Sequence, residues 1–435
     1  KAMYGFGDRG ELRRILHADD IAGIKWIYGE GTSPPVLSSP FSGATGVSTS
    51  PTLSWNVSGG ATSYRLQVST SSSFPSTFYD QSNITSTSQQ LSGLTNGTTY
   101  YWRVSATNAG GTSSYSSTWS FTTVIVTPPA PVASAGTNIG QTGFTANWSS
   151  TTGATSYRLD VSLSNTFTNY VTGYQDKSIA GTSDNVTGLT AGTTYYYQVR
   201  AVNGGGASGN SSTITVLLIP ADPVATSGTN ATVTGFTANW NASTGATSYR
   251  LDVSQSNTFT NYVTGYQDKT VAGTSDNVTG LTAGTTYYYQ VRAVNGGGAS
   301  GNSSTITVLL IPADPVATSG TNATVTGFTA NWNASTGATS YRLDVSQSNT
   351  FTNYVTGYQD KTVAGTSDNV TGLTAGTTYY YQVRAVNSSG TSASSNTTII
   401  STLSLPLPTV TTTSASNVGQ TTATVNGTVN ANGYS

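Results

Sequence analysis

Side chains able to do chemistry are scarce in this sequence of 435 residues. There is no Cys, one Met and one His. That excludes a disulfide framework and thiolate chemistry, and it leaves most metal and acid/base chemistry too few residues to work with. His17 stands just before Asp19 and Asp20, where it reads as a capping or surface residue at a helix start rather than a ligand. Asp176 with Lys177 recurs as Asp268 with Lys269 and as Asp360 with Lys361, each time within GYQDK. This motif reads as a hairpin turn with a local ion pair. Arg158 and Asp160 on one strand, with Arg200 on another, suggest a solvent-facing cross-strand cluster, a kind of pairing that contributes about 0 to 1 kcal/mol. Outward-facing Tyr196, Tyr288 and Tyr380 suit the flat face of a sugar, and equally packing on a sheet surface or contact between copies. The run GGGASGNSS at 204–212 and 296–304 has no Lys and opens no helix, so it reads as a strand-connecting loop and not a phosphate cradle. Asn-x-Ser/Thr triplets, such as those starting at Asn56, Asn185, Asn277 and Asn369, matter only in a host that glycosylates.

The elements that must position these residues follow from composition and period. Charged residues are 8% of the chain and the net charge is −1, which argues against nucleic acid or an anionic membrane as partner. No apolar run approaches the length of a membrane span, and no signal peptide opens the chain. Residues 1–31 carry ten of the charges, including Glu11 and Glu30, the only two Glu. The break near Gly31, followed by Thr32, Ser33, Pro34 and Pro35, marks a domain boundary.

Beyond that boundary the chain repeats. Trp148, Trp240 and Trp332 are 92 residues apart, and Trp55 lies 93 before the first of them. Residues 221–295 recur unchanged at 313–387, and 129–203 is a close variant. The expected domains are therefore 1–31, 32–127, 128–220, 221–312 and 313–405, with the start of a fifth, incomplete unit at 406–435. Inside a unit the apolar residues alternate, as in Phe236, Ala238, Trp240 and in Tyr249, Leu251, Val253. Such a period of two predicts half-buried strands and an all-β sandwich.

The order Trp, then Tyr-x-Leu-x-Val, then Leu with Tyr six residues later in LTAGTTYYYQVRAVN resembles the fibronectin type III domain. The resemblance implies tandem immunoglobulin-like sandwiches in a rod, each of seven strands and without chemistry of its own. It makes Leu94 with Tyr100, Leu189 with Tyr195, Leu281 with Tyr287 and Leu373 with Tyr379 the tyrosine corners, and Trp55, Trp148, Trp240 and Trp332 core residues. Tyr249 and Tyr289 are expected in the core with them.

Residues 12–29 predict one amphipathic helix of about ten residues, with Asp19 and Asp20 in its first turn and Gly29 at its stop. A lone helix so short is marginal in water, so it should belong to a larger body. The segment AMYGFGDRGELRRILHADDIAGIKWIYG resembles the C-terminal end of a matrixin catalytic domain, of the metzincin class. On that resemblance Met3 is the Met-turn residue, and Asp19, Asp20, Gly23, Ile24, Tyr28 and Gly29 fall on the family's helix positions. His17 stands where the family often has a capping Ser. The zinc motif H-E-x-x-H-x-x-G-x-x-H is absent, so this chain needs no cofactor and should not hydrolyse peptides. The resemblance places zinc and its ligands in a parent protein, upstream of Lys1.

The expected function is an extracellular array, secreted or at a cell surface, that spaces or binds for a matrixin-like zinc protease. The alternative is a structural or adhesive bacterial surface fibre. Partners are expected to be other copies of the chain or extracellular polymers, protein or glycan.

Overall fold

Alternation of burial along short strands builds every module. Strand Phe236–Trp240 buries Phe236, Ala238 and Trp240, and strand Ser248–Ser254 buries Tyr249, Leu251 and Val253. The computed structural model describes residues 5–6, 12–13 and 17–431, so Met3 lies outside the described residues. The chain divides into two compact units, one of 1–137, 145–184 and 195–215, the other of 138–144, 185–194 and 216–435.

In the third module one sheet has the order Ala225–Thr229, Phe236–Trp240, Ser275–Val278, all antiparallel. The second runs Lys269–Val271, Ser248–Ser254, Thr286–Asn295, and the long strand also pairs with both Gly298–Ala299 and Ile306–Leu309. This is a seven-stranded sandwich whose last strand is broken in two. Register sets Tyr249 opposite Ala293, Leu251 opposite Val291 and Val253 opposite Tyr289, so the inward residues of neighbouring strands coincide. Together with Trp240, which meets Tyr249 at a centroid distance of 5.6 Å, they form one core.

The break in the last strand is bridged by serine hydroxyls. Ser303 donates its N–H to the Val291 carbonyl at 2.8 Å, while the Val291 N–H donates to Ser303 Oγ at 3.0 Å. Ser300 does the same for Ala293. A hydroxyl here stands in for a ladder carbonyl, which keeps the long strand's backbone satisfied where its neighbour departs.

The fourth module repeats these strands 92 residues on, from Ala317–Thr321 to Thr398–Ser401. The first differs. Its opening stretch splits, so that Leu37–Ser39 pairs with Thr52–Trp55 while Ala44–Val47 crosses to the other sheet and runs parallel to Trp119–Thr123. After the fourth module, Thr409–Ser416 and Thr424–Asn430 form a hairpin with the same register shift as the opening strands of modules three and four. That register puts Gly427 where Trp332 stands.

The helix spans Ala18–Tyr28. The Ile21 N–H donates to the His17 carbonyl at 2.9 Å, and the His17 N–H donates to the Asp20 carboxylate at 3.1 Å. His17 thus occupies the N-cap position, but the side chain that satisfies an end group is that of Asp20. Gly29 has φ of 77°, the left-handed stop that favours glycine. Among the described residues no helix is long and apolar enough to cross a membrane.

Two tyrosines organise the core of modules two to four, and in the first module Trp102 takes the place of the second. The Tyr287 hydroxyl accepts the Thr282 N–H at 3.0 Å, as Tyr379 accepts from Thr374 at 2.9 Å and Tyr100 from Thr95 at 3.0 Å. Tyr195 is likewise buried. Tyr289, wholly buried, reaches from the second sheet to the first: its hydroxyl donates to the Thr226 carbonyl and accepts the Asn239 N–H at 3.2 Å. Burial pushes this phenol above its ordinary value of 10.0.

A raised tyrosine pKa stabilises the fold fully below the ordinary value, and the contribution is lost as pH rises through the folded one. Alkaline unfolding of the third module, followed by circular dichroism, should therefore steepen above pH 10, and Tyr289→Phe should reduce that steepening. At pH 7 the same variant should cost about 1 to 3 kcal/mol, because two buried backbone groups lose their partner. Trp240→Ala should cost about 3 to 5 kcal/mol in urea denaturation.

Candidate functional site

The strongest concentration of polar side chains lies on the second sheet of each repeated module. In the fourth, Asp344 on Ser340–Ser346 stands opposite Gln382 on the long strand Thr378–Asn387, and Arg342 stands opposite Arg384. The loop that follows Ser346 adds Tyr354, Gln359 and Asp360, which with Asp344, Gln382, Arg384 and Ser394 line a shallow niche of about 380 Å³.

Asp344 is 3% exposed. One of its oxygens accepts the Asp360 N–H at 2.7 Å, and the other accepts from Arg384 Nη2 at 3.1 Å. Arg384 Nη2 also donates to Asp360 Oδ1 at 2.7 Å. Asp360 has φ of 56°, a conformation that costs a non-glycine residue energy. The Asp344 carboxylate offsets that cost by holding the Asp360 N–H. Equivalent bonds tie Asp176 to Asp160 and Asp268 to Asp252, each at 2.7 Å.

Two expectations change here. Asp160, Asp252 and Asp344 are buried rather than solvent-facing, because each carboxylate collects a turn N–H and a guanidinium at once. The Lys of GYQDK does not pair with the Asp beside it. Lys177 reaches Asp184 at 2.6 Å, and Lys269 and Lys361 reach Asp276 and Asp368 at 2.5 Å. Adjacent residues entering a strand point to opposite faces, so the Lys crosses to the Asp of another strand while its own neighbour meets Arg. Each Lys nitrogen also lies 4.5 Å from the centre of the motif's tyrosine ring, that of Tyr174, Tyr266 or Tyr358.

Tyr196, Tyr288 and Tyr380 are half-buried and pair along the sheet, Tyr288 opposite Ser254 and Thr307. The aromatic residue at the niche is instead Tyr354, which the sequence analysis did not single out. Phe351, three residues before it, has φ of 56° and a ring 6.3 Å from that of Tyr354. In the first module the cluster is rebuilt: Arg65 grips Asp80 through two 2.7 Å bonds, which hold that carboxyl below its usual range, and Arg103 lies between the rings of Phe74 and Tyr115.

Asp19, Asp20, Gly23, Ile24 and Tyr28 all lie on the helix, and Gly29 follows it. Trp55, Trp148, Trp240 and Trp332 are each at most 5% exposed, as cores require. Among the described residues no group of three or more His, Cys, Asp or Glu is placed to hold a metal ion. With one His in the whole chain, the residues present do not fit a three-imidazole zinc site. In the niche both carboxylate oxygens of Asp344 are engaged, so the arrangement offers hydrogen bonds to a neutral polar surface and no poised acid/base pair.

Residues 128–217, 221–309 and 313–401 match the fibronectin type III domain, and 42–127 match the Rha78A-like, N-terminal immunoglobulin domain. The chain is similar to the receptor-type tyrosine-protein phosphatase eta of Gallus gallus, 26% identical over 79% of this chain and 23% of that protein. It is also similar to chitinase A1 of Niallia circulans, 32% identical over 38% of this chain and 24% of that enzyme. Exoglucanase B of Cellulomonas fimi is 32% identical over 48% of this chain and 20% of that enzyme. The chain thus spans less than a quarter of these relatives' length.

Replacing Asp252 by Ala should cost the third module about 1 to 3 kcal/mol, since the Asp268 N–H and Arg292 lose a buried acceptor. Lys269→Ala should cost under about 1 kcal/mol. Equal losses in urea denaturation would remove the buried aspartate from its central place.

Proposed function

Because the chain belongs to the fibronectin type III family, we propose that it is the spacer array of an extracellular enzyme, and that residues 1–30 are the end of a matrixin-like zinc catalytic domain. The observation that carries this reading is the division of labour within the chain. In the repeated modules the buried Asp160, Asp252 and Asp344 are each engaged within their own module. The first 31 residues concentrate the charge, and their helix has an acidic first turn and a glycine stop, which supports the matrixin-like reading.

Relatives named chitinase and exoglucanase support a role beside enzymes that act on polymers. The array would hold a catalytic body away from a cell or against an extracellular polymer. Zinc, if the parent binds it, would be held by imidazoles upstream of Lys1, and this chain would contribute Met3 below it.

A second reading, a surface fibre made of associating copies, is favoured by the identity of residues 221–295 and 313–387, since adding repeats lengthens a fibre without new design. Sequencing upstream of the codon for Lys1 separates the two. The zinc-protease reading expects H-E-x-x-H-x-x-G-x-x-H shortly before it, a parent whose peptidase activity is abolished by chelator, and no activity from residues 1–435. An upstream region without that motif removes the protease and leaves the fibre.

A further inference from the structure

The long strand of every module ends in an asparagine with two separate tasks. In the fourth module the Asn387 side-chain oxygen accepts the Ser389 N–H at 2.9 Å, which closes the turn, while its amide nitrogen donates to the Leu310 carbonyl at 2.9 Å. Leu310 belongs to the preceding module: its N–H donates to Thr285 at 3.1 Å, and its side chain is wholly buried. Asn295 does the same with Gly297 at 2.8 Å and Leu218 at 2.9 Å, and Asn203 with Gly205 at 2.8 Å and Val126 at 2.9 Å.

The loop beyond the asparagine fits the same tail. A Cβ on Gly297 would lie 2.3 Å from the Leu217 carbonyl oxygen, and one on Gly205 would lie 2.1 Å from that of Ile125. Where the fourth module has Ser389 instead, its hydroxyl donates to the Leu309 carbonyl at 2.5 Å. The asparagine and its turn are thus a socket that reads the backbone of an incoming chain, not its side chains, since Val126, Leu218 and Leu310 all fit.

The first module has the same socket, and the tail that enters it follows a helix rather than a strand. Asn108 accepts the Gly110 N–H at 2.9 Å, and its amide donates to the carbonyl of Glu30 at 2.7 Å, just after the helix and its glycine stop. We infer that this socket is the array's general docking surface for the tail of the preceding element, and that it seats the N-terminal helical segment as it seats a module. The inference concerns residues 17–30 of this chain and does not depend on what body they end.

The absence of native cysteine allows paired spin labels on the intact chain. One pair, Thr274→Cys with Thr366→Cys, spans the joint of modules three and four; another, Ala22→Cys with Thr85→Cys, spans helix and first module. Asn→Asp keeps the oxygen that closes the turn and removes the donor. Asn387→Asp should broaden the first distance distribution roughly twofold, and Asn108→Asp the second, with module unfolding midpoints retained. Unchanged widths, or wild-type distributions already as broad as the variants', would overturn the socket. Broadening at Asn387 but not at Asn108 would overturn its use by the N-terminal segment. Loss of module stability in an Asp variant would mean that the asparagine only folds its own turn.

Discussion

In the third module a fully buried phenol hydroxyl fixes the sandwich. Tyr289 lies on the long strand of one sheet, and its hydroxyl bonds to the opening strands of the other, at Thr226 and Asn239. Dispersion and burial tolerate small slides between sheets, but a buried hydroxyl that misses its partners costs its full desolvation penalty. The bond therefore sets the relative position of the two sheets. Once it is set, Phe236, Trp240 and Leu251 share one core, and the opposite face of the long strand carries Gln290 and Arg292. The polar niche is a consequence of the same register.

Much of this was legible because it depends on short-range period. The alternation of Phe236, Ala238 and Trp240, and of Tyr249, Leu251 and Val253, names the inward face without knowledge of any partner strand. The polar face was read less well. Asp252 alternates like a surface residue, and only the turn that folds back over it, with Asp268 at a positive φ, explains its burial. The partner of Lys269 was misplaced for a related reason: adjacency in sequence invites pairing, but Asp276 reaches it from another strand. The crossing of Ala44–Val47 to the second sheet was not legible at all, since period gives faces and not strand neighbours.

Asn295 and the glycines after it show what a compositional reading conceals. A glycine-rich run between strands looks like slack, yet Gly297 lies close to the Leu217 carbonyl, and the positive φ of Gly284 and Gly337 accompanies a backbone-to-backbone approach. At Gly284 and Gly337 another backbone occupies the space a side chain would need, whereas at the position of Gly297 the fourth module fits Ser389 and bonds its hydroxyl to the tail. The serines at 300 and 303 are similar, serving as acceptors for the long strand rather than as polar filler.

The socket and the tail it receives both lie inside one 92-residue period, and residues 221–295 and 313–387 are identical. A recombination event that duplicates or deletes a whole period would therefore join a familiar tail to a familiar socket at the new junction. No interface has to be re-evolved, and no intermediate with a mismatched joint need pass through selection. The number of modules becomes a heritable variable that changes in whole steps, while the modules on either side of the junction stay untouched.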